Sequence, residues 1–182
     1  MRTHQQELGQ KLINQIEESF SEMKFEHITL FDDPSWQIQG KHWREIPLDM
    51  LKQDGLFWGM PTSKSGQFFL PAYMVALLEH SEIMEGYEEK LLSILAPQTD
   101  AQNEAEYLFT GTNNSQKMTV LSFLQAYPML FPDLFLAKHY PTNVIEQLIE
   151  LNKKMGLSLK PQTPYEIWEA AVAFWKTQVC SE

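Results

Sequence analysis

The sequence predicts an all-α fold: one domain of about seven helices spanning residues 1–182. Apolar residues recur at spacings of three and four between Gly and Pro breakers. The one stretch that reads as extended, residues 27–31, has no partner strand. A chain of 182 residues with 43% hydrophobic and 12% aromatic content is enough for one core, and no Gly/Ser-rich linker divides it.

Residues 3–23 read as the first helix. Leu8, Leu12, Ile16, Phe20 and Met23 form one apolar stripe, and Thr3 with Gln6 has capping-box spacing. Residues 24–44 are irregular, with a turn at Asp32-Asp33-Pro34-Ser35. Pro47 suits the first turn of a short helix through Leu48 and Leu51, with Gly55 at its C′ position. Residues 56–67 read as a loop. The next helix begins at Leu70 with Pro71 in its first turn, where a missing N–H does no harm. It runs to about Ile83 on a stripe of Leu70, Met74, Leu77 and Leu78.

Gly86 separates that helix from one at residues 87–96, which carries Leu91, Leu92 and Leu95 and is ended by Pro97. Residues 99–114 are polar, finish on the breaker Gly111-Thr112-Asn113-Asn114, and are the candidate hinge. Residues 115–127 read as a helix with Met118, Leu121, Leu124 and Tyr127 on one side. An apolar link, residues 129–131, follows between Pro128 and Pro132. Residues 142–155 are helical on Ile145, Leu148 and Ile149 and are stopped by Gly156. Thr163 or Pro164 opens the last helix, through Trp168, Ala171, Val172, Trp175 and Val179.

The net charge is −10, with Arg2 and Arg44 the only arginines, which speaks against nucleic acid and anionic membranes as partners. The lone cysteine, Cys180, allows no intramolecular disulfide and suits a reducing compartment. No apolar run approaches a membrane span and no signal-peptide pattern opens the chain, so a cytoplasmic protein is expected. The five histidines lack the spacing that puts two imidazoles on one helical face. There is no phosphate-binding glycine loop and no nucleophile elbow. The sequence therefore assigns no catalytic residue, cofactor or metal. The enzymatic route left open runs through carboxylates in polar segments, Asp32, Asp33, Glu104 and Glu106.

Charge is unevenly spread. Residues 79–150 hold eleven acids against three lysines, a net of −8, while residues 151–182 are at +1. Were the helix continuous through Gly86, Glu82, Glu85 and Glu89 would share one face, on the flank of the buried stripe. A solvated rim is the plain explanation, and a field that attracts a basic partner is the functional one. The candidate contact residues are Glu79, Glu82, Glu85, Glu88 and Glu89, with Tyr87 or Trp58 as the aromatic that fills a pocket.

The elements also resemble a group of small uncharacterised bacterial proteins with a Tyr/Phe-Leu-Pro-Ala-Tyr/Phe motif. Here the motif is Phe69-Leu70-Pro71-Ala72-Tyr73, preceded by Trp43-Arg44-Glu45-Ile46-Pro47 and followed at the end by Ala170-Ala171-Val172-Ala173-Phe174-Trp175. Some members of that group look like immunity proteins by their setting. The resemblance implies no established activity and carries over no functional residue. The charge asymmetry and the missing catalytic motifs lead to the expectation of a non-enzymatic protein that neutralises or scaffolds a basic partner, such as a toxin, as an immunity protein would. The alternatives are an enzyme with a carboxylate or metal site assembled from distant residues, and a self-associating helical module using the apolar surface of residues 129–135.

Overall fold

The computed structural model describes residues 3–24, 40–52, 63–96, 111–135 and 162–180, together with Gln147, Glu150 and Lys154. The described residues form six α-helices: α1 (His4–Ser19), α2 (Leu48–Leu51), α3 (Ser63–Glu79), α4 (Tyr87–Leu95), α5 (Asn114–Leu130) and α6 (Pro164–Cys180). Short 3-10 turns occupy Trp43–Glu45 and Pro132–Phe135. Among these residues there is no strand, only an isolated bridge between Lys24 and His42. Gln147, Glu150 and Lys154 are helical and lie within the stretch expected as a further helix. Residues 27–31, Trp58 and residues 99–110 of the expected hinge lie outside the described residues.

α3 is the centre of the fold. Every residue from Gln67 to Leu77 is buried, so the helix is covered all round rather than on one stripe. It packs against α1, α2, α4 and the 3-10 turn at Trp43–Glu45. α5 lies between α1 and α6, and α4 rests on α6. α3 also corrects two expectations. It starts at Ser63, inside the expected loop, and Pro71 is in its interior rather than its first turn. An interior proline costs about 3 kcal/mol. Burying each large apolar side chain returns about 1.5–3 kcal/mol. Phe68, Phe69, Leu70, Met74 and Leu77 are all at most 2% exposed, so burial outweighs the proline.

Capping accounts for several boundaries. Thr3 and Gln6 exchange hydrogen bonds at 2.9 and 3.3 Å, the capping box expected for α1. Asn113 and Gln116 do the same for α5, both at 3.0 Å. Thr163 with Glu166 opens α6 just before Pro164.

Three indole N–H groups donate to main-chain carbonyls at helix ends or beside a helix proline. Trp43 Nε1 donates to the Phe20 carbonyl, just past the end of α1, at 2.8 Å. Trp175 Nε1 donates to Leu95, the last residue of α4, at 2.9 Å. α5 runs through Pro128, which has no N–H for the Leu124 carbonyl, and Trp168 Nε1 donates to that carbonyl at 2.7 Å. This is how α5 reaches Leu130 instead of stopping at Tyr127, as the proline suggested. A buried carbonyl without a partner costs about 1–3 kcal/mol, so the Trp168 and Trp175 indoles do more than fill volume, while the Phe20 carbonyl also accepts from the Met23 N–H at 3.1 Å.

Within α5 burial is also broader than one stripe. Val120, Phe123, Leu124 and Tyr127 are fully buried, whereas Met118, expected on the core side, is 46% exposed. No helix among the described residues is long and apolar enough to cross a membrane.

Candidate functional site

α3 ends at Glu79, and residues 80–86 form a turn before α4. α3 stops four residues short of the expected Ile83, and Gly86, at φ +85°, is the N-cap of α4, so the shared face that a helix continuous through Gly86 would give Glu82, Glu85 and Glu89 does not form. In its place stands a braced knuckle. His80 N–H donates to Ala76 at 2.8 Å, the Ile83 and Met84 N–H groups to the His80 carbonyl at 3.0 Å, and Tyr87 N–H to Met84 at 3.0 Å. The Met84 side chain is fully buried and anchors the turn in the core.

The knuckle presents Ile83, 51% exposed, between Glu82 and Glu85, both exposed. Glu88, half-buried, and Glu89, exposed, follow in the first turn of α4, where the helix N-terminus favours negative charge. Tyr87 is held in place rather than free to enter a partner's pocket. Its ring stacks on Tyr73 with centroids 6.3 Å apart, its hydroxyl donates to the Lys52 carbonyl at 2.7 Å, and Lys90 Nζ sits 4.8 Å from its ring centre.

Glu79 is engaged as well. Arg44 donates to its two carboxylate oxygens at 2.9 and 2.7 Å and reaches Glu17 from Nε at 3.1 Å. The hydrogen bond from Arg44 is the main reason that the Glu79 carboxyl lies below its usual range, with burial opposing it. The same bond is the main cause raising the Arg44 pKa. The triad Glu17–Arg44–Glu79 carries one net negative charge.

Two clefts flank Glu79. The smaller, about 300 Å³, is lined by Trp43, Arg44, Ala76 and His80 among others. The larger, about 580 Å³, opens where α1 meets the ends of α3 and α5. Its apolar lining includes Ile13, Leu77 and Leu130, and its polar lining includes Gln5, Gln10 and Ser81. Among the described residues no three His, Cys, Asp or Glu side chains gather to hold a metal ion.

Of the residues singled out by sequence, Glu82, Glu85 and Glu89 are exposed at or beside the knuckle, while Glu79 and Tyr87 serve contacts within the chain. Ile83 was read as the end of a helix. The glycine three residues on was the available sign that it belongs to a turn. The Arg44–Glu79 pair joins residues 35 apart and has no local signature.

A family model described as "Family of unknown function (DUF6714)" matches residues 9–136, most of the chain. The match takes in the knuckle, Arg44 and the greater part of both clefts, and stops before α6. No curated protein and no solved structure matches the chain.

Proposed function

This chain belongs to the DUF6714 family, whose function is unknown, and we propose that it is a non-enzymatic, cytoplasmic protein-binding module that occludes a basic partner, as an immunity protein blocks a toxin. The observation that carries this reading is Ile83, an exposed isoleucine on a braced turn between two exposed carboxylates. A large exposed apolar side chain flanked in sequence by like charges is poor for the isolated protein. It suits a partner with an apolar socket and a Lys/Arg rim, where the carboxylates steer the encounter and the buried side chain slows release.

The test is capture of proteins from a lysate of the native host by the immobilised chain, at low and moderate salt. The expected result is a basic protein, held less well at higher salt and lost with Ile83→Glu. Removing such an anchor costs about 1.4 kcal/mol or more, roughly tenfold or more in affinity. Recovery of no basic protein at either salt, or equal recovery by Ile83→Glu, sinks the reading.

Self-association is a second reading, resting on Met129, 51% exposed near the end of α5. Dimer-sized elution on gel filtration that disappears with Met129→Glu would favour it.

A further inference from the structure

Two stacked tyrosines make the same kind of bond in different surroundings. The Tyr73 hydroxyl donates to the Leu51 carbonyl, and the Tyr87 hydroxyl donates to the next carbonyl along, that of Lys52, at the end of α2. Tyr73 and Leu51 are at most 3% exposed. Tyr87 is half-buried and Lys52 is exposed. Burial decides what each hydroxyl does. The Tyr73 hydroxyl serves a carbonyl shut off from water, and losing it is costly. At Lys52 water can replace the Tyr87 hydroxyl, so that bond adds little to global stability. What water cannot replace is a tether between two elements.

Tyr87 stands where a tether matters. It follows the turn of residues 80–86 directly, and its N–H closes that turn on the Met84 carbonyl at 3.0 Å. On the other side of the turn, Glu79 is tied by Arg44. That ion pair is partly solvated and is weakened by salt. The Tyr87 bond joins neutral groups and is not screened. Glu82, Ile83 and Glu85 lie between these two holds and are exposed. The turn is therefore held from its flanks and by the buried Met84 side chain.

We propose that Tyr87 is a positioning residue for the knuckle. Through the Lys52 carbonyl it fixes the angle at which Ile83 and its flanking carboxylates meet a partner, while the Tyr73 hydroxyl beside it serves the fold. This rests on the partner-binding reading and adds a conformational requirement to it. A turn already held in its bound shape loses less conformational freedom on association.

The experiment compares Tyr87→Phe with Tyr73→Phe in the full chain. Each variant keeps its ring and loses one hydroxyl. Amide hydrogen exchange is read at Ile83 and Met84, whose N–H groups donate to the His80 carbonyl, and at Val120 in the core of α5 as a reference for global opening. Tyr87→Phe is expected to leave the urea midpoint unchanged and to speed exchange at Ile83 and Met84 roughly fivefold, the worth of one hydrogen bond. It should also release the basic protein captured from the host lysate roughly two- to tenfold faster. Tyr73→Phe is expected to lower the midpoint, to speed exchange at Val120 more than at Ile83 and Met84, and to release the captured protein at the wild-type rate. Unchanged exchange at Ile83 and Met84 in Tyr87→Phe overturns the proposal, as does a midpoint lowered as far as in Tyr73→Phe. So does wild-type release by a Tyr87→Phe chain whose turn has opened. In that last case Ile83→Glu still abolishes capture, and the partner-binding reading stands. If the wild type captures no basic protein while exchange behaves as expected, the partner-binding reading falls and the exchange data uphold the tether.

Discussion

Gly9 and Gly86 should respond to the same substitution with opposite signs. A Cβ added at either glycine meets no atom of the described residues within 4 Å, so sterics with those neighbours drop out of the comparison. What remains is backbone conformation. Gly9 is helical, and alanine there gains about 0.8–1 kcal/mol of helix propensity. Gly86 sits at φ +85°, where an L side chain costs about 1–2 kcal/mol. The less flexible unfolded chain returns about 0.4–1 kcal/mol, so Gly86→Ala should lose roughly 0.5–1 kcal/mol net. The two variants should stand roughly 1.3–2 kcal/mol apart, or about 3–8 °C in Tm for a chain of this size. Urea unfolding read by tryptophan fluorescence is the assay, since Trp43 and Trp175 are at most 1% exposed. The midpoints should diverge with unchanged slopes. A loss of stability in Gly9→Ala would mean that the space over α1 is not open. A gain in Gly86→Ala would mean that the knuckle does not use a left-handed residue. Either result refutes the reasoning.

Gly111 is the opposite case: a Cβ there would fall 1.4 Å from Gln67 Nε2, in a side chain only 7% exposed. Gly111→Ala should cost about 1–3 kcal/mol, and much of the loss should be recovered with Gln67→Ala in a double-mutant cycle. The Tyr127 hydroxyl donates to the Glu88 carbonyl at 2.6 Å, and burial raises its pKa well above 10.0. Its stabilisation is therefore complete below about pH 10 and is lost as pH rises through the folded value. Tyr127→Phe should be about 1–2 kcal/mol less stable in urea melts near neutrality, with the gap closing at alkaline pH. Arg44→Gln should lose about 0.5–1 kcal/mol at neutral pH and low salt, a modest figure because the pair is largely solvated. Glu79 titrates below its usual 4.5, so that contribution is present above pH 4.5 and fades as pH falls through the lower folded value. A deficit that stays constant as the pH falls through that lower value would contradict the pairing.

Local signals gave the fold where the deciding interaction is local. The α1 cap at Thr3, the break at Gly86 and the start of α6 at Thr163 each rest on residues within four positions of one another. Both prolines misled, because each was compensated from far away. Pro71 is carried by a helix buried on every side, and Pro128 by Trp168, 40 residues on. The tryptophans look like core volume in the sequence. Their role as donors to main-chain carbonyls depends on partners at separations of 23, 44 and 80 residues. At the candidate site the excess of acid was legible, but the division of labour within it was not.

That division is itself a test. Glu79 is accounted for by Arg44, and Glu88 and Glu89 by the N-terminus of α4, where each carboxylate stabilises by about 0.3–1 kcal/mol. Glu82 and Glu85 have no ion pair among the described residues, and they flank Ile83 on a turn whose bracing uses backbone groups and Met84. If the acidic run served only folding, Glu82 and Glu85 would matter as much as Glu88 and Glu89. If it serves a partner, the two pairs separate. Glu82→Gln with Glu85→Gln should leave stability within about 0.5 kcal/mol of the wild type and weaken capture of a basic partner. Glu88→Gln with Glu89→Gln should lower stability by about 0.3–1 kcal/mol per charge in urea melts. A clear loss of stability in the Glu82/Glu85 variant, with capture unchanged, would place those carboxylates in the service of the fold and leave Ile83 without a functional setting.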